Sequence, residues 1–163
     1  MEIEGLLSAL ALPGQPQALF AAVEAEARRV IGQRLFTLLL VDGDEVARIH
    51  SSDPVAYPVS GRKRMGPTSW GDHVLRDRKP LLLPDRAAIA WAFSDHELIW
   101  SLGLGSCINV PAVHDGKAVG TMNLLAPEHA LTEEHLAAAC RLAPVLIPAF
   151  LTARYENNAR QVP

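Results

Sequence analysis

Cysteine is scarce in this chain: Cys107 and Cys140 are the only two in 163 residues, in neither a CxxC pair nor metal-ligand spacing. A disulfide framework and a cysteine-built zinc site are excluded on that ground. Charge of one sign is lacking too. Fifteen basic residues against eighteen acidic ones leave a net charge of −3, so there is no broad electrostatic footprint for nucleic acid. No uninterrupted apolar run approaches the roughly 20 residues of a membrane span. Glu2 and Glu4 stand where a signal peptide would carry positive charge. The expected protein is cytoplasmic, with no nucleic-acid and no membrane partner. Aromatic residues are few at 6%, and their placement becomes informative below.

What is present is ordinary for a globular domain: 49% apolar and 20% charged residues in a length that fits one domain. After the apolar stretch Leu6–Leu12, Pro13 and Gly14 break the chain. Leu19, Phe20, Val23, Ala27, Val30 and Ile31 then recur at helical spacing, with Glu24, Glu26, Arg28 and Arg29 between them, and Gly32 is a stop signal. Leu35–Val41 reads as a strand, Asp42–Gly43–Asp44 as a turn and Val46–Ile49 as the returning strand. Ser51–Pro58 is a loop with two prolines.

The middle third is irregular. Thr68 or Ser69 would cap a short helix through Leu75, with Val74 and Leu75 buried. Leu81–Leu83 is a brief strand between prolines. Ala87–Phe93 and His96–Leu102 are two short helices, the second capped by Ser94. From Ser106 strands return: Ile108–Val113 and Lys117–Leu125 flank Asp115–Gly116. Pro111 lacks a donor and needs an unpaired ladder position. Gly120 suits a point where another group comes close. Thr132 caps a last helix with an apolar stripe from Leu136 to Leu151, bent or broken at Pro144 and Pro148. Asn157–Pro163 reads as a frayed tail. Strands joined by Asp-Gly turns are antiparallel, so the class is α+β.

Three stretches carry a family resemblance. Ser106–Pro111 followed by Asp115–Leu124 resembles the hairpin of GAF domains, in which S-x-L-x-V-P precedes G-x-x-x-G and an asparagine between apolar residues. Leu131–Leu136 is similar to that family's entry into its last helix. Arg78–Asp85 is similar to its short segment of proline, alternating apolar residues and aspartate. The resemblance covers roughly Pro16 to Phe150. It divides the chain into an N-terminal segment 1–15, a GAF domain 16–152 and a C-terminal tail 153–163. It implies a GAF-like (PAS-like) antiparallel sheet of about five or six strands, with terminal helices on one face and an irregular helical segment covering a ligand pocket on the other.

The same resemblance frames the function: a small-molecule-binding sensory or regulatory domain acting without a fused output domain. It would signal through a separate partner and form a homodimer through its terminal helices, whose Ala-rich faces lie at Val23–Val30 and Ala137–Ala143. The family's cyclic-nucleotide pattern, N-K-x-F-x-x-x-D-E, is absent. No cysteine lies before Ser106 for covalent bilin attachment. Free methionine sulfoxide reductases share this length and fold and provide an enzymatic alternative, with Cys107 as the thiol in question. Their cysteines lie in the irregular segment, however, where this chain has none. An interaction module without a small ligand is a further alternative. Hydrolase and metal readings fail on spacing: Gly103-Leu104-Gly105-Ser106 is no nucleophile elbow, and the six histidines are scattered.

The aromatic distribution locates a candidate site. Trp70, Trp91 and Trp100 all fall between Pro67 and Leu102, with Phe93, His73 and His96. Such a cluster would suit a non-covalent aromatic or heterocyclic ligand; its plain alternative is to pin the irregular segment to the sheet. Asn109 and Asn123 interrupt apolar strands, and a buried amide requires partners. Alternation puts Thr121, Asn123 and Leu125 on one face of the sheet. The candidate ligand-binding set is therefore Trp70, His73, Trp91, Phe93, His96, Trp100, Asn109, Thr121 and Asn123, with no catalytic or metal-ligating residue and no cofactor. Arg62-Lys63-Arg64 is a basic run in a loop, either solvated or holding an anionic group at the pocket mouth.

Overall fold

The computed structural model describes residues 1–159. The helical period at Leu19 to Ile31 becomes α2 (Gln17–Val30), preceded by the short α1 (Ile3–Ser8). Glu26 on α2 accepts bonds from Arg29 at 2.9 and 2.8 Å and from the backbone N–H of Glu2 at 3.0 Å, tying the N-terminal segment to the helix. The Arg29 bond, then the Glu2 N–H, holds the Glu26 carboxyl at about 2 against an ordinary 4.5. A depressed pKa stabilises the fold above the unfolded value, and that contribution is lost as pH falls through the folded one. Glu26→Gln is accordingly expected to be slightly less stable than the parent at neutral pH, with the gap closing between about pH 4.5 and about pH 2. A urea-unfolding series across pH reads this out. A gap undiminished at the acid end contradicts it.

Six strands form one antiparallel sheet: β1 (Leu35–Asp42), β2 (Glu45–Ser51), β3 (Lys63–Arg64), β4 (Leu81–Leu83), β5 (Ser106–His114) and β6 (Lys117–Ala126), in the order β3-β2-β1-β6-β5-β4. Asp115 and Gly116 both have positive φ, at 51° and 72°, as a two-residue turn of type I′ requires. Pro111 pairs with Thr121 on one side only, since β4 ends its pairing at Asn109. Both faces of the sheet are covered, so β1 is apolar almost throughout. Phe36, Leu38 and Leu40 pack with Met122, Leu124, Ile108 and Val110 under the terminal helices. Leu35, Leu125 and Cys107 face the other way, against Leu83, Ile89 and Ile99.

The last helix is interrupted where its prolines require it. α6 (Glu133–Leu142) starts at Thr132, whose hydroxyl accepts from the His135 N–H while His135 Nδ1 accepts from the Thr132 N–H. A 3₁₀ turn, Ala143–Leu146, then leads into α7 (Ile147–Ala159). By length and composition Glu133–Ala159 is apolar enough to cross a membrane. In this fold, however, Leu142, Leu146 and Phe150 are fully buried in the helix-side core.

Several expectations are corrected. The segment 153–159 is not tail: it continues α7, with Ala153 buried and Arg154 donating to the Val41 carbonyl at 2.7 Å. The rest of the expected tail, 160–163, lies outside the described residues. Of the Ala-rich stretches, Val23, Ala27, Ala139 and Ala143 pack inside the same core, while Ala25 and Ala137 are exposed. The basic run is no loop either: Lys63 and Arg64 add an edge strand to β2.

Candidate functional site

The site begins with three residues made neighbours by register. On the face away from the terminal helices, Thr37, Asn123 and Asn109 lie side by side across β1, β6 and β5. Above them, Thr68 caps a turn by accepting from the Gly71 N–H at 2.9 Å, starting α3 (Ser69–Gly71) and the π-helical Asp72–Arg76. This turn lowers Trp70 onto the sheet, where its indole N–H donates to Asn109 Oδ1 at 3.0 Å. Asn109 Nδ2 donates to Asn123 Oδ1 at 2.8 Å, which also accepts from Thr121 Oγ1 at 3.0 Å. Asn123 Nδ2 reaches the Thr37 carbonyl and hydroxyl at 3.4 and 3.3 Å. The amides that interrupt the apolar strands thus satisfy one another in a chain.

This polar strip is the floor of a cavity of about 540 Å³. Leu35, Leu39, Val46, Ile99, Leu125 and Phe93 supply apolar walls, and Arg48, Tyr57, Lys63, Arg64, Ser94 and Asp95 stand around the rest. Tyr57 donates to Asp95 Oδ2 at 3.0 Å and lies under the Arg48 guanidinium, 4.9 Å from the ring centre. Burial, then the Asp95 charge, pushes the Tyr57 hydroxyl pKa up, so it remains a donor. The bond joins the loop after β2 to the start of α5 (His96–Ser101) and closes one side of the cavity.

Of the expected residues, Trp70, Phe93, Asn109 and Asn123 line this cavity. Thr121 shares their face but is wholly buried, acting through Asn123. The remaining aromatics are not brought there. α4 (Arg86–Ala92) turns Ile89 inward, and Trp91, about 200° further round the helix, is 58% exposed. On α5, Ile99 forms the wall, while His96 and Trp100, one turn apart, pack against each other with ring centres 4.7 Å apart and planes tilted by 56°. His96 Nδ1 bonds the Phe93 carbonyl at 3.0 Å, and His73 Nε2 bonds that of Pro80 at 3.2 Å. Ser94 does not cap α5; Asp95 is its N-cap residue and makes no side-chain capping bond. Asp85 caps α4, accepting from the Ala88 N–H at 2.9 Å.

Sequence reasoning missed Thr37, Arg48, Tyr57 and Asp95. Thr37 becomes the neighbour of Asn123 only through the register of β1 with β6. Arg62 turns away from the cavity to Asp42 at 2.9 Å, Glu45 at 3.2 Å and Asn158 at 2.9 Å. Cys107 lies on the cavity side of the sheet beside Asn109 but is fully buried, and burial pushes its thiol pKa up, as it does that of the half-buried Cys140. Neither thiol has the electropositive, accessible setting of a nucleophile. Among the described residues no group of three His, Cys, Asp or Glu side chains is placed to hold a metal ion. A second hollow, of about 620 Å³, lies across the Met65–Thr68 segment. Of its cations, Arg76 already pairs with Asp72 at 3.0 Å and Arg154 lies 3.7 Å from Asp42.

Comparison with known proteins agrees with this fold. A family model described as GAF domain matches residues 15–146. Among curated proteins none matches the chain. Among solved structures, the GAF domain of a phosphoenolpyruvate-protein phosphotransferase from Coxiella burnetii aligns at TM-score 0.71 and 19% identity, covering 97% of this chain and 98% of that one. The GAF domain of a two-component sensor histidine kinase from Bacillus halodurans gives 0.71 and 12%, covering 87% and 97%. A free methionine-R-sulfoxide reductase from Neisseria meningitidis, solved with its substrate, gives 0.69 and 22%, covering 94% and 89%. At these identities the likeness is one of fold.

Proposed function

Because this chain belongs to the GAF domain family, we propose that it is a sensory module that binds a small molecule non-covalently in the cavity between the Thr37–Asn123–Asn109 floor and the Trp70–Phe93 cover. The observation that carries this reading is the cavity itself. Its volume of about 540 Å³ falls in the range of small-molecule sites, and apolar walls around a few placed polar groups are their usual composition. The Trp70 and Phe93 rings, 6.0 Å apart and tilted, give an aromatic cover suited to a flat ligand.

A reductase shares the fold, yet the buried Cys107 thiol favours binding over redox turnover. Leu39→Trp places an indole among the apolar walls. It is expected to retain the parent's circular dichroism while weakening binding of any metabolite retained by the parent at least tenfold, roughly 1.4 kcal/mol. Native mass spectrometry of both proteins, purified from their host, measures this. Equal retention by the two, or Cys107-dependent reduction of free methionine sulfoxide, overturns the reading.

A further inference from the structure

The polar floor has a direction. An indole N–H can only donate, so Trp70 faces Asn109 Oδ1 and leaves Asn109 Nδ2 pointing at Asn123 Oδ1. That in turn leaves Asn123 Nδ2 pointing at the Thr37 carbonyl, which can only accept. Both amide oxygens are doubly used: Asn109 Oδ1 also takes the Cys107 thiol at 3.6 Å, and Asn123 Oδ1 takes Thr121 Oγ1. Each amide nitrogen carries two hydrogens. Asn109 spends one on Asn123, and those of Asn123 meet Thr37 only at 3.3–3.4 Å. The amides therefore offer a ligand hydrogens rather than lone pairs.

The opposite wall has a direction as well. Lys63 pairs with Val46 in the β2–β3 ladder, and paired residues share a face. Val46 and Arg48, two apart on β2, share that face too. Lys63 and Arg48 thus stand together on the cavity side, while Arg64, at the cavity rim, already meets Asp44 at 3.5 Å. Among the described residues no carboxylate comes within 4.0 Å of Lys63 or Arg48. Asp95, the acid among the lining residues, is engaged by the Tyr57 hydroxyl.

We infer that the cavity selects an organic acid: an apolar, flat body whose carboxylate is held by Lys63 and Arg48 and whose far end presents a carbonyl or ring-nitrogen acceptor to Asn109 and Asn123. This rests on the cavity being the ligand site, as proposed above. Arg48 lies over the Tyr57 ring and donates to the Pro58 carbonyl at 3.2 Å, but neither contact neutralises its charge. Cations without a carboxylate partner in a partly enclosed cleft attract an anion, and a donor-rich floor rejects a body that carries only N–H groups, because two donors cannot satisfy each other.

The test uses matched triplets built on naphthalene, quinoline and coumarin bodies, each as carboxylate, primary amide and aminomethyl compound. Saturation-transfer NMR reads their binding to the full chain, to Lys63→Glu, to Arg48→Met and to Leu39→Trp. Lys63 is exposed on an edge strand, so its variant keeps the fold. Arg48→Met keeps an apolar stem beside Tyr57. The expected result is that carboxylates bind best, the quinoline and coumarin acids ahead of naphthoate, and that Lys63→Glu weakens them roughly tenfold while sparing the amides. If amides and amines bind as well as acids and Leu39→Trp blocks all three, the site stands and the acid selectivity is overturned. If no compound's binding responds to Leu39→Trp, the site and this inference fail together.

Discussion

Gly120→Ala is expected to destabilise this protein by roughly 2–3 kcal/mol, the upper part of the range for a forced overpacking in a well-packed core. A Cβ at Gly120 would lie 2.3 to 2.5 Å from three carbon atoms of the Phe150 ring. The ring has no free space to retreat into, being fully buried. Nor does its helix slide easily, since α7 is joined to α6 through the 3₁₀ turn that contains Pro144. For a domain of this size the loss corresponds to a fall in melting temperature of roughly 4–12 °C. Trimming the ring should return part of it: Phe150→Leu in the Gly120→Ala background is expected to cost less than the two changes summed. Thermal and urea unfolding of the four proteins measure the coupling. An unchanged midpoint for Gly120→Ala would mean that the sheet and α7 are not in contact there.

Asn109→Leu is the second large effect, expected at roughly 2–3 kcal/mol, because it removes a group that serves two buried partners. Trp70 loses its acceptor, with the residue only 8% exposed, and Asn123 Oδ1 loses one of its two donors. The unmade bonds dominate the cost, so making both ends apolar should recover much of it. Trp70→Phe combined with Asn109→Leu is expected to be less destabilising than the sum of the single variants. Equilibrium urea unfolding decides this. Strict additivity would show that the indole and the amide are not bonded partners.

The asparagines were legible as a site signal because they break a period. An amide inside an apolar strand has to be paired, and alternation alone puts Asn123 on the same face as Thr121 and Leu125. What the sequence did not reveal was that the pairing is mutual, since Asn109 and Asn123 become cross-strand partners only through the register of β5 with β6. The tryptophan cluster was legible as a cluster and misleading as a site. Trp70 reaches the floor, while Trp91 and Trp100 do not, because a short helix commits one stripe inward and Ile89 and Ile99 occupy it. Tyr57 gave no periodic signal at all: it sits in an irregular loop, and its role comes from a bond to Asp95, 38 positions away.

By itself the sequence determined the α+β class, both hairpins, the Thr132 cap, the break at Pro144 and the close approach at Gly120, although the first hairpin turns on Gly43–Asp44, with Asp42 paired to Glu45. Each of these rests on local chemistry: a period, a capping hydroxyl, a missing donor or a missing side chain. Only the tertiary structure decided which polar groups meet, which cations face the cavity, and that a volume able to hold a ligand lies under the cover. Lys63 and Arg62 are adjacent and alike in charge, yet one faces the cavity and the other is consumed by Asp42 and Glu45. That difference comes from strand pairing and from carboxylates far away in sequence, and no local rule contains either.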